Sequence, residues 1–71
     1  MIFAVEIGEL LVMSFSGYIF VTPNDNDIRT NHYLEKGSVV IVISDKIRKK
    51  FINITSGESS GWIHMASVEA L

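Results

Sequence analysis

Seventy-one residues hold one domain, and with no cysteine among them neither a disulfide framework nor a thiolate metal site can staple it. A chain of this size buries only about 60% of the surface its unfolded form exposes, so it depends on a very apolar core or on self-association; 48% hydrophobic residues suit either. Six basic against eight acidic residues leave a net charge of −2, which argues against nucleic acid as the main partner, since phosphate binding calls for a basic face.

Residues 1–9 are apolar, but Glu6 and Glu9 interrupt the run and no basic region precedes it, a pattern unlike a secretory signal. No stretch approaches the roughly 20 apolar residues of a membrane helix. The expectation is a cytoplasmic protein with no membrane partner.

β-branched and aromatic residues dominate, and turn residues punctuate them. A first strand is predicted over 9–15, a turn at Ser16 and Gly17, and a second strand over 18–22. Pro23, Asn24, Asp25, Asn26 and Asp27 open a polar loop extending through Asn31, because Pro presets φ and Asn and Asp bond their own backbone in turns. Residues 32–34 resume an extended path into a tight turn at 35–37.

Residues 38–44 are apolar on both faces, as in a central strand covered on both sides. One face would line a barrel; the other calls for a loop, the N-terminal segment or another chain. Residues 45–50 form a charged hairpin loop, and 51–55 alternate with Ile52 and Ile54 on one side. After a turn at 56–60, residues 61–64 form a strand, 65–67 a single helical turn and 68–71 a last short strand. The fold class is therefore all-β: a small barrel of five to six antiparallel strands with one helical turn near the C-terminus.

Four segments in order carry a resemblance to a known family: Ile19 to Asn24, with its Thr22-Pro23-Asn24 ending; an expected hairpin over residues 34–42, Leu34-Glu35-Lys36-Gly37 leading to Val40 and Val42; Phe51 to Ile54; and Gly61-Trp62-Ile63 leading to Val68. Over residues 17–71 the chain resembles the bacterial type of Src homology 3 domain, with 1–16 as an N-terminal strand extension of the same single domain. The resemblance implies an SH3-like barrel that binds or scaffolds rather than catalyses. It departs from the eukaryotic peptide binders, for Lys50 and Phe51 replace a Trp pair and Ser67 stands where a groove tyrosine would be. A proline-rich partner is thereby disfavoured, since a polyproline groove needs aromatic walls. A free-standing module suggests a subunit: a homo-oligomer, an adaptor, or a phage or mobile-element protein.

Trp62, His64, Tyr33 and Tyr18 are the candidate ligand or partner contacts. The plainer role for Trp62 is packing across the barrel end or against the N-terminal segment. His32 and His64, with Asp25, Asp27 or Glu58, are the donors open to a metal, but their spacing brings none together and no metal or cofactor is expected. Asp25 and Asp27 lack the glycine and the final acid of a calcium loop. Lys46, Arg48, Lys49 and Lys50 could contact phosphate, giving a nucleic-acid or ribosome-associated barrel as the alternative function; as a solvated tip they would simply protect an edge. No nucleophile elbow, Ser-His-Asp set or phosphate loop is present, so no catalytic residue is expected.

Overall fold

The computed structural model describes residues 2–23 and 29–71. The β-branched and aromatic runs form seven strands: β1 (Leu10–Met13), β2 (Gly17–Phe20), β3 (Arg29–Leu34), β4 (Val39–Val42), β5 (Phe51–Thr55), β6 (Ser60–His64) and β7 (Val68–Ala70). One 3-10 turn, Met65–Ser67, separates the last two. The all-β class and the lone helical turn are as expected, whereas the strand number is seven rather than five or six.

All seven strands form one antiparallel sheet in the order β3-β2-β6-β5-β4-β1-β7. The sheet is not closed by pairing between β3 and β7. Its strands alternate between two faces, and the inner face carries Leu11, Ile19, Val40, Val42, Ile52, Ile54, Ile63 and Val68, each at most 2% exposed. No charged or polar residue is buried among them in the described chain.

Two expectations need correction. β3 begins at Arg29, inside the segment expected to continue the polar loop. Its register with β2, Tyr18 opposite Tyr33 and Phe20 opposite Arg29, has an irregularity between the two pairs, so tertiary pairing overrides a weak local strand signal. Residues 34–42 are not a hairpin. The turn at Glu35 to Ser38 (Ser38 N–H to Glu35 carbonyl, 3.0 Å) docks on β1 through Gly37 N–H to Met13 carbonyl at 2.8 Å. It delivers the chain to β4, which pairs with β1 and β5 rather than β3. Of the three covers expected for the outer face of β4, a described loop and the N-terminal segment leave Val39 and Ile41 exposed, and another chain remains the third. The expected loop residues 24–28 lie outside the described residues.

Two backbone features set the sheet's shape. β1, from the 1–16 segment, lies between β4 and β7. At Gly61 a Cβ would stand 2.5 Å from both the Phe20 carbonyl oxygen and Ile19 Cγ2. Only a residue without a side chain lets β6 approach β2 this closely.

Candidate functional site

Three surface regions follow from this frame. The first is an aromatic band on the outer face of β2, β5 and β6. Gly61 and Ile63 point into the core, so alternation turns Trp62 and His64 outward. Trp62 sits opposite Phe20 on one side and Asn53 on the other. It is half-buried on the sheet's outer face. His64 lies opposite Phe51. The Phe51 ring is edge-on to both Phe20 (centroids 5.6 Å apart) and His64 (5.2 Å), and these neighbours leave Phe51 only 3% exposed. Tyr18 and Tyr33 pair across β2 and β3 as a T-shaped couple at 5.0 Å, with Tyr33 exposed. All four predicted contact residues thus lie on strands of the β3-β2-β6 part of the sheet.

His64 also has a local task. Its Nδ1 accepts the Ala66 N–H at 3.1 Å and caps the 3-10 turn, satisfying a donor that the turn itself leaves unpaired. Nδ1 therefore carries no proton in this geometry, and the neutral ring holds its hydrogen on Nε2.

The second region is the basic tip between β4 and β5. Arg48 and Phe51 exchange both backbone hydrogen bonds, 3.0 and 2.8 Å, leaving Lys49 and Lys50 as a two-residue loop. Their φ angles are +50° and +68°, the only positive values at non-glycine residues among the described residues. Two consecutive positive φ angles are the mark of the primed hairpin turn that Asn-Gly normally supplies; a residue with a Cβ pays about 1–2 kcal/mol there. The Lys50 carbonyl accepts the Met65 N–H at 2.9 Å, tying the tip to the end of β6. Lys46, Arg48, Lys49 and Lys50 are all exposed.

The third region was only half legible. β1 and β4 stand together with their outer side chains in cross-strand register, Leu10 opposite Ile41 and Val12 opposite Val39. Leu10 is 45% exposed, Val39 47% and Ile41 41%. Ile43 and Leu71, both exposed, extend the patch; Leu71 is joined to Leu10 by a backbone bond of 3.4 Å. The doubly apolar character of β4 signalled an outer face needing a cover. No described loop or N-terminal residue covers it. The same signal was present in Leu10 to Met13, apolar at four successive positions, and was not read.

His32 was not expected to meet any metal donor, yet the sheet brings its Nε2 to 3.3 Å from Glu58 Oε2. The described residues contain no group of three such donors; Asp25 and Asp27 lie outside them. A depression of about 350 Å³ is lined by Ala4, Val5, Glu6 and Glu9; there Glu9 Oε1 accepts the Glu6 N–H at 3.0 Å. Among the described residues no helix is long and apolar enough to cross a membrane. In comparison with known proteins, the chain matches no family model, no curated protein and no solved structure.

Proposed function

We propose that this chain is a non-enzymatic, SH3-like association module whose partner is a second copy of itself, held on the outer face of β4, β1 and β7. The observation that carries the reading is the Leu10–Ile41 and Val12–Val39 register, with aliphatic side chains turned to solvent. Isolated exposed leucines need no explanation, but a contiguous apolar patch marks an interaction surface.

A like copy suits this face. The two cross-strand pairs at its centre are uncharged, so a two-fold contact of the patch with itself brings no like charges together there. Glu69, opposite Val12 on the edge strand β7, falls at the rim. Stable interfaces bury about 800 Å² per partner, and a patch built on these few half-exposed side chains is at the small end. The dimer is accordingly weak and concentration-dependent. Single cores in chains below about 70–80 residues rarely supply more than 3–5 kcal/mol, so association also adds stability by mass action.

The SH3-like assignment draws support from the order in which the resembling segments occur: Ile19 and Phe20 in β2, the turn into β4, β5, and β6 through β7. Sedimentation velocity from micromolar to near-millimolar protein tests the reading. A shift from monomer to dimer, abolished by Ile41→Lys in a folded variant, supports it. A strict monomer at the highest concentration refutes it.

A further inference from the structure

The geometry points to the Lys49 and Lys50 hairpin as a phosphate-gripping tip for single-stranded nucleic acid, a site separate from the self-association face. Two independent observations meet here. Four of the chain's six cationic side chains lie within residues 46–50, while the rest of the chain carries two against eight acidic ones. Cationic charge is thus concentrated at one point on an acidic protein. The same point has the only two positive-φ side-chain-bearing residues described. Strain of this kind persists where surrounding structure holds it, and it clusters at functional positions. Here the holding structure is the Arg48–Phe51 bond pair on one side and the Lys50–Met65 bond on the other. A turn selected only for stability would be filled by Asn and Gly; lysine at both positions keeps two cations at a rigid, exposed apex.

The neighbouring side chains select among anions. Phe51 follows the tip directly, and His64 and Trp62 continue outward along β6. Trp62 and His64 are half-buried on β6, and the Lys50–Met65 bond sets the end of that strand against the tip, leaving ring surface open near the cationic apex. Cations that track a backbone beside rings that stack bases are the chemistry of single-strand binding. An acidic peptide would use the lysines and leave the rings idle; free phosphate would do the same. The negative remainder of the protein confines the contact to the tip, so the footprint is small. Three or four neutralised phosphates give a slope of log K against log salt of about −2 to −3.

The test is fluorescence anisotropy with a short labelled single-stranded RNA across a low-salt series, with polyglutamate and inorganic phosphate as competitors. Two variants are compared with the wild type: Lys49→Asn with Lys50→Gly, and Lys49→Gln with Lys50→Gln. The first relieves the turn and removes the charge. It is expected to raise Tm by roughly 4–8 °C or more while flattening the salt slope by about 1–2. The second removes charge, leaves the strain in place, and is expected to weaken RNA binding without the gain in Tm. Trp62→Ala is expected to weaken binding with the salt slope unchanged. Absence of salt-dependent RNA binding by the wild type overturns the assignment, as does binding at the wild-type level by both lysine variants. Displacement by polyglutamate or phosphate as effective as by unlabelled RNA overturns it in favour of an acidic or simple-anion ligand. A Tm that does not rise in the first variant removes the strain on which the inference rests.

Discussion

His64 reaches two residues along its own chain to accept the Ala66 N–H at 3.1 Å, while its ring stands edge-on to Phe51. One side chain therefore both starts the 3-10 turn and closes the aromatic band over β5. His64→Ala removes cap and ring together and is expected to cost about 0.5–2 kcal/mol for the cap, plus about 0.5–1.5 kcal/mol for the aromatic contact. His64→Asn restores an acceptor only and recovers part of that loss. Urea unfolding of the two variants separates the contributions. Nitrogen NMR of the wild type should report the Nε2–H tautomer.

Gly61 tests the closeness of β2 and β6. In Gly61→Ala the new methyl meets the Phe20 carbonyl oxygen, a backbone atom that cannot rotate away. The expected loss is about 1–3 kcal/mol, seen as a fall in Tm of roughly 4–8 °C for each kcal/mol. An unchanged Tm would mean that β2 and β6 are not packed as described.

Neighbouring positions on β4 distinguish inside from outside. Val42, fully buried and paired with Ile54, should not tolerate Thr: the added hydroxyl loses its water and is expected to cost about 1–3 kcal/mol. Ile41, one residue earlier and paired with Thr55, faces out. Ile41→Thr should change monomer stability by no more than about 0.5 kcal/mol and still weaken the dimer. Chemical denaturation at low protein concentration, set beside sedimentation, reads both effects.

Ser14 presents the reverse case. Its Oγ is buried and has no hydrogen-bond partner, although its backbone N–H donates to the Ser67 carbonyl at 2.8 Å. Ser14→Ala deletes an unsatisfied hydroxyl and leaves that backbone bond. Stability is expected to hold or to rise by up to about 1 kcal/mol, measured as the urea midpoint at constant m-value.

The segments legible in the sequence were those whose signal is local. Phe51–Thr55 and Met65–Ser67 occur where alternation and the short polar turn placed them. β3 was misjudged at its start because Arg29, Thr30 and Asn31 have the composition of a loop, and only pairing with β2 makes them a strand. The same holds for the site. Trp62, His64 and the four cations could be named from residue type. The Tyr18–Tyr33 couple, the His32–Glu58 contact and the Leu10–Ile41 patch depend on register between segments far apart in the chain, which no local pattern encodes. The left-handed lysines were hidden for another reason: a Lys-Lys turn violates the Asn-Gly preference by which such turns are recognised.

The pairing of β1 with β7, Leu11 opposite Ala70, has a kinetic consequence. That ladder joins positions separated by roughly 60 residues, so its closure entropy is met before its hydrogen bonds form. Folding should therefore be slow for so short a chain and finish late. A nascent chain cannot complete its sheet until β7 has been synthesised, and clipping a few residues after Ser67 would strip β1 of one of its two neighbours, leaving an apolar strand edge open to aggregation.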